Sequence, residues 1–350
     1  MSFATSDFAA FGWSSHFQVQ LGADEAGLIP ARVAAVHRNG IDVIHPAFER
    51  RIIAGFDADE EHRPTVGDWV LLDPNLQRVR RVLGRRSLFK RKAAGTDHRV
   101  QLIAANVDTV LIVSSCNQDF NPARIERYLA LAREAEVEPI VILTKADLAD
   151  DPADYARRAA KLAPGLMAEA FDAREPVVFE RLSPWLQAGQ TIALMGSSGV
   201  GKSTLVNTLT GGHLATQGIR DDDAKGRHTT TARSLHRLPG GAWLVDMPGM
   251  REIQLADAGE GIGGLFADIV ELEGSCRFSN CRHDTEPGCA VRAALDEGTL
   301  DPARLARYRK LQREDAVNSA TLAERRAQSR AFGKMAKAVM AGKRRRLGLE

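Results

Sequence analysis

Gly196-Ser197-Ser198-Gly199-Val200-Gly201-Lys202-Ser203 is the stretch that decides the fold. It spells G-x-x-x-x-G-K-S, and it stands between an apolar run at 191–195 and helical sequence from Ser203 onward. The chemistry needs that setting. Glycines let successive backbone N–H groups wrap a polyphosphate, and the amino end of the following helix adds positive potential. Lys202 is placed to reach the β- and γ-phosphates, and Ser203 to ligate Mg²⁺. Thr204 follows as a further nucleotide contact. The bland alternative is a glycine turn with an incidental lysine. Nothing in this loop chooses between ATP and GTP.

Working outward, the choice falls to Thr144-Lys145-Ala146-Asp147, which closes a strand-like run at 139–143. Ligands of open α/β sheets sit at such strand ends. A carboxylate on Asp147 can accept from both the ring N–H and the exocyclic amine of guanine, a pair that adenine lacks. The stem of Lys145 can cover the base plane. Thr144 stands where Asn is usual, which puts one hydrogen bond to the base or the phosphate loop at stake. The stretch around Asp172 and Ala173 is a candidate for the loop that backs the base.

Downstream, Asp246-Met247-Pro248-Gly249 follows a buried strand at 242–245, as a D-x-x-G switch does. Asp246 would hold Mg²⁺ through water, and the Gly249 N–H would touch the γ-phosphate. Met250 occupies the position where Ras-like enzymes carry a water-orienting Gln, and it has no group for that role. Between the two motifs lies Gly226-Arg227-His228-Thr229-Thr230-Thr231. One of its threonines, with Thr230 taken as the candidate, can ligate Mg²⁺, and His228 is the candidate for orienting water. A loop histidine with no role is the competing reading. Asp221-Asp222-Asp223 reads as a solvated acidic loop. The order is unusual: ordinary GTPases place the phosphate loop first and the base reader last.

Cys276, Cys281, His283 and Cys289 fall within 14 residues. Three thiolates and one imidazole make a full tetrahedral set for one Zn²⁺ with no open position, hence a structural site. Cys116 stands apart and reads as a small core residue.

Between 31 and 83 five short strand-like runs recur, at 31–36, 41–44, 51–54, 68–72 and 78–83, separated by turn signals such as Asn39-Gly40. They suit a small closed barrel of the oligonucleotide-binding type, with an SH3-like barrel nearly as good a fit. Residues 1–27 show no sustained periodicity and read as a loose lead. From Val107 strands alternate with helices, which argues a parallel sheet covered on both faces. A Pro at the first turn opens the helix after Asn121-Pro122.

The chain has 350 residues, 44% of them hydrophobic, which is room for two or three domains. No apolar run approaches the roughly 20 residues of a membrane span, and the first residues lack a signal-peptide pattern. Four cysteines are too few for a disulfide scaffold. A cytoplasmic protein without membrane contact is expected, and a monomer, since no heptad seam is visible. The net charge of +2 hides an asymmetry. Residues 78–99 carry nine Lys/Arg against one acid, and 301–350 carry fourteen against five, so the remainder is at −15. Two basic zones on an acidic body favour a nucleic-acid partner over solvated helix faces.

The permuted order, Gly226 through Thr231, Asp246 through Gly249, and Cys276 through Cys289 with Glu286-Pro287 and Ala290-Val291 together resemble the ribosome small-subunit-dependent GTPase A family, also called RsgA, YjeQ or EngC. The likeness covers nearly the whole chain. It implies an N-terminal oligonucleotide-binding barrel, a circularly permuted GTPase domain and a C-terminal zinc domain. It also implies binding of GTP and GDP with Mg²⁺, of the small ribosomal subunit and 16S rRNA, and GTP hydrolysis stimulated by that subunit in its late maturation. The expected division is a lead at 1–27, a barrel at 28–95, the GTPase domain at 96–272 and a zinc domain with basic helices at 273–350. The competing readings are a P-loop ATPase or kinase, and an RNA-binding module that holds nucleotide without turnover.

Overall fold

The structure, a computed structural model, describes residues 5–37, 39–53, 63–92, 100–212, 234–246 and 257–319. Helices α1 (Thr5–Ala9) and α2 (Ser15–Gln18) come first. They are not a loose lead, contrary to expectation. Phe8, Trp13 and Phe17 are buried in one cluster with Trp69, Leu71 and Leu83, and Trp13 meets Trp69 edge to face at 4.7 Å between centroids. Single aromatic anchors bury large areas without any periodic pattern, so periodicity does not reveal them.

Strands β1 (Ile29–His37), β2 (Gly40–His45), β3 (Phe48–Ile52), β4 (Trp69–Leu72) and β5 (Val79–Val82) follow. Each overlaps one of the five runs seen in the sequence. They pair antiparallel in the order β3-β2-β1-β4-β5. Ala31, Val33, Ile41, Val43, Ile52, Val70 and Leu72 share the core of this β-rich N-terminal unit, as alternation along a strand dictates. An antiparallel ribbon comes next, β6 (Leu88–Lys92) with β7 (Val100–Ala105). It runs across the position expected to separate barrel from GTPase domain. Gly67, at φ +90°, binds the two together: a Cβ there would stand 2.1 Å from the Ala105 carbonyl oxygen.

The α/β core runs β8 (Thr109–Ser115), α3 (Pro122–Glu134), β9 (Glu138–Thr144), α4 (Pro152–Ala160), β10 (Met167–Ala170), α5 (Val177–Leu182), β11 (Thr191–Gly196) and α6 (Lys202–Leu209), and then β12 (Ser234–Arg237) and β13 (Trp243–Asp246). Asn121 caps α3 by accepting from the Arg124 N–H, and Asp151 caps α4 by accepting from Asp154. The order β10-β9-β8-β11-β13 is parallel throughout, with β12 antiparallel on its flank. Every residue of β8 and β11 is buried. Alternate residues feed two cores. Val110, Ile112, Val141, Leu143, Ala193 and Met195 face one, and Leu111, Val113, Ile140, Ile142, Ile192 and Leu194 face the other. That two-sided burial is why these strands read as unbroken apolar runs.

β12 also pairs with β1, at Ala35 and Ser234, so the strands of the N-terminal unit and of the α/β core form one continuous sheet. Arg32 lies fully buried at this seam, donating to the Phe11 carbonyl at 2.7 Å and to Thr191 Oγ1 at 2.6 Å. Burial lowers its pKa to about 10. The chain ends in α7 (Gly259–Leu265), α8 (Ala267–Gly274), α9 (Ala290–Asp296) and α10 (Pro302–Ser319). Buried Glu126 of α3 accepts from Arg307 Nε of α10 at 2.6 Å, with Arg304 at 3.5 Å, which straps α10 to the α/β core. Among the described residues no helix is long and apolar enough to cross a membrane.

Candidate functional site

Parallel strands bring their carboxyl ends to one edge, and the motif residues are found there. Thr144 closes β9, Gly196 closes β11, and Asp246 closes β13 opposite Ser234. The tetrad 144–147 precedes the loop 196–203 in the chain, yet β9 is only two strands from β11, with β8 between them.

The phosphate loop is forced into shape by its glycines. Gly196, Gly199 and Gly201 have φ of +152°, +76° and +90°. At Gly196 a Cβ would stand 2.3 Å from the Val113 carbonyl oxygen of β8, and at Gly201 it would stand 3.0 Å from Thr144 Oγ1. Val200 is buried, whereas Ser198 and Gly199 face solvent. Ser197, Ser203 and Thr204 are half-buried at the mouth. Lys202, first residue of α6, donates through Nζ to the Gly196 carbonyl at 2.8 Å and to that of Ser197. Its ammonium thus lies across the loop that would receive phosphate.

Thr144 is buried, and its hydroxyl lies 2.5 Å from the Val200 carbonyl oxygen and 3.1 Å from that of Ser114. The threonine therefore keeps a tie to the phosphate loop in place of asparagine. Lys145 takes a left-handed conformation, φ +58°, which starts the 3-10 turn Ala146–Leu148. That turn presents Asp147. Arg174 Nη2 donates to Asp147 Oδ2 at 2.8 Å and to Asp172 Oδ2 at 2.6 Å. The Arg174 guanidinium holds the Asp172 carboxyl below its ordinary range. The Ala173 carbonyl accepts from Thr208 Oγ1 of α6 at 2.6 Å. The stretch at 172–174 therefore touches both Asp147 and α6. Arg174 gave no sequence signal, because an arginine in a polar loop is ordinary.

His228, Thr230 and the rest of 226–231 lie outside the described residues, as do Asp221-Asp222-Asp223, Met247, Gly249, Met250 and the basic stretch at 320–350. Asp246 is described only as the end of its strand.

The second centre lies between α8 and α9. The ligand atoms of Cys276, Cys281, His283 and Cys289 all fall within 4.8 Å of one another. Cys276 Sγ is 3.9 Å from Cys289 Sγ, and His283 Nδ1 is 3.5 Å and 3.4 Å from these two sulfurs. A tetrahedron with bonds of about 2.3 Å has edges of about 3.8 Å, so the four groups fit one ion. The other ring nitrogen, His283 Nε2, lies 3.3 Å from Glu273 Oε1, and Tyr308 of α10 donates to Glu273 Oε2 at 2.9 Å. A carboxylate behind a ligating imidazole fixes its orientation. Glu286 organises the loop: it accepts from the backbone N–H of Arg282, Asp284 and Thr285 at 2.9–3.1 Å. These bonds, that from Arg282 foremost, bring its pKa down to about 2. Cys116 is apart and buried, and burial pushes its thiol up to about 11.

Comparison with known proteins bears on all of this. A family model described as RsgA GTPase matches residues 82–256. The chain is 52% identical over 337 residues to "Small ribosomal subunit biogenesis GTPase RsgA 2" of Vibrio parahaemolyticus, covering 96% of this chain and 93% of that protein. It is 50% identical over 320 residues to "Small ribosomal subunit biogenesis GTPase RsgA" of Mesorhizobium japonicum, covering 90% and 92%. Among solved structures it is similar to YjeQ from Thermotoga maritima, with a TM-score of 0.60 at 25% identity over 81% of this chain and 97% of that one. YloQ, a circularly permuted GTPase, matches in fold with a TM-score of 0.59 at 22% identity, over 86% and 99%.

Proposed function

The chain belongs to the RsgA GTPase family, and from that premise we propose that it hydrolyses GTP as an assembly factor of the small ribosomal subunit, with the subunit stimulating turnover. The single observation that carries the reading is the Thr144 hydroxyl on the Val200 carbonyl. It makes base reader and phosphate loop one unit despite their inverted order.

In this reading Asp147 accepts the two N–H donors of guanine and Lys145 covers the base. Backbone N–H groups of 196–203 wrap the phosphates, and Lys202 leaves the loop carbonyls for the β- and γ-phosphates. Ser203 and the switch threonine, Thr230, would hold Mg²⁺ directly, and Asp246 would do so through water. When bound there, Mg²⁺ would neutralise phosphate charge that builds up in hydrolysis. The Gly249 N–H contacts the γ-phosphate, and His228 orients the attacking water, since Met250 has no group to do so. Intrinsic turnover is accordingly slow.

Cys276, Cys281, His283 and Cys289 hold one structural Zn²⁺ per chain, a donor set of three soft thiolates and one imidazole that suits this ion. The barrel at 28–95 and the zinc domain at 273–350, which carry the two basic zones, contact 16S rRNA through phosphate, so binding weakens with salt. The protein works as a cytoplasmic monomer.

The test is GTP turnover as a function of small-subunit concentration, at two salt concentrations. Turnover should rise and saturate with subunits, and the saturation point should move to higher concentration with salt. A rate indifferent to subunits ends the ribosome-coupled reading.

A further inference from the structure

A carboxylate that must accept two parallel N–H donors has to be held in one orientation. Asp147 stands on an exposed 3-10 turn with 33% of its side chain open to solvent. The group that meets it is Arg174, and Arg174 is itself fixed. Its backbone N–H donates to Asp172 Oδ1 at 2.9 Å, and its Nε lies 2.9 Å and 3.0 Å from the two Asp172 oxygens. Only Nη2 reaches across to Asp147, on Oδ2 alone. A carboxylate has about four lone-pair sites, so this contact leaves acceptor capacity on both oxygens. The loop is anchored in turn, because the Ala173 carbonyl takes the Thr208 hydroxyl from the phosphate helix.

We propose that Arg174 is a positioning residue for guanine recognition: braced by Asp172, it locks the Asp147 carboxylate so that both oxygens face the base edge. This rests on the reading of Asp147 as base reader. The arginine does not touch the base. It acts on how well one carboxylate tells a base with two donors from a base with one. Inosine is the probe, since it keeps the ring N–H and lacks the exocyclic amine. A freely rotating Asp147 still makes one hydrogen bond to either base, but it loses the paired geometry that only guanine exploits.

The experiment is equilibrium binding of GDP and IDP, with Mg²⁺, to the full zinc-loaded chain in wild type, Arg174→Ala and Arg174→Lys. Arg174→Ala should weaken GDP roughly tenfold and IDP at most about threefold, so that GDP/IDP discrimination falls. Arg174→Lys should recover part of the discrimination, because an ammonium can still donate to Asp147 but lacks the fork that Asp172 braces. Equal losses for GDP and IDP mean general loosening of the loop and overturn the proposal. Unchanged or tighter GDP binding also overturns it, the latter by making Arg174 a competitor of the base. The base-reading assignment fails on a different readout: Asp147→Asn, with Arg174 intact, would then not shift preference from GDP to XDP.

Discussion

The phosphate loop and the zinc loop are both tight, glycine-bearing turns, but they are held by opposite means. The first hangs between a strand buried at every position and a helix, with Val200 driven into the core. The second, from 275 to 288, has no buried residue at all. The backbone bonds to Glu286 and the Glu273–Tyr308 contact behind His283 hold it, and on the proposed reading four ligands on one ion complete it. Packing distributes a loop's stability over many small contacts, whereas ligation concentrates it in one ion. The two loops should therefore fail independently.

The largest effect expected is loss of the metal. Structural zinc sites bind with about 10–16 kcal/mol of apparent free energy, so Cys281→Ser should remove the ion at ordinary concentrations. Metal analysis should fall from one zinc per chain to none, and trypsin should cut at Arg277 and Arg282. GDP affinity should stay within about twofold, since the two loops share no partner. A collapse of GDP binding along with the zinc would break the comparison.

The converse change is Lys202→Ala. Turnover should fall by roughly 10²–10³, the usual cost of losing a donor aimed at developing charge. Zinc content and trypsin resistance of 275–288 should not move. Phosphate release alongside metal analysis reads both at once.

One substitution made in each loop sharpens the contrast further. Gly196→Ala meets a strained φ of +152° and the backbone oxygen of Val113 at 2.3 Å. Neither β8 nor β11 can give way inside a doubly covered sheet, so about 3 kcal/mol should be lost. Gly288→Ala also has a positive φ, +74°, but meets Arg277 Cβ, at 3.0 Å, a carbon contact that a shift of a few tenths of an ångström in an exposed loop relieves. About 1 kcal/mol should be lost there. Denaturant midpoints of the two variants, with m-values unchanged, decide it. A larger loss at Gly288 would mean the zinc loop is packed after all.

The same division explains what could be read from the sequence. Strands β8, β9, β11 and β13, the tight loop at 196–203 and the clustering of Cys276, Cys281, His283 and Cys289 were legible because local pattern and structure coincide in them. Apolar runs signal two-sided burial, glycines signal positive φ, and thiols near an imidazole signal a metal. The five barrel strands were legible for the same reason. What escaped depends on long-range contacts. Phe8, Trp13 and Phe17 pack on Trp69 with no period to announce it. The ribbon β6–β7 has a strongly basic first strand, and basic residues there read as surface. Arg32 looks solvated in the sequence and is buried on β1, with its guanidinium on Thr191 of β11. Arg174 and Glu273 act through side chains that only the fold brings near Asp147 and His283.

The smallest expected effect distinguishes two contacts within the nucleotide site itself. Thr144→Val keeps the shape of a buried side chain and removes only its hydroxyl. The carbonyls of Val200 and Ser114 then lose a donor in a place without room for water, given that a Cβ on Gly201 would already crowd this side chain. About 1–2 kcal/mol of stability should go, the cost of stranding a buried acceptor. The effect on nucleotide should be of another kind from that of Arg174→Ala. Thr144 fixes the loop that holds the phosphates, which GDP and IDP share, so both should weaken equally, by roughly threefold to tenfold. If Arg174 fixes the carboxylate proposed to read the base, its loss should change the ratio between them. Equal weakening from Thr144→Val and unequal weakening from Arg174→Ala would separate phosphate placement from base reading. A change in the GDP/IDP ratio from Thr144→Val would show instead that the strand end of β9 moves as one body with the base reader.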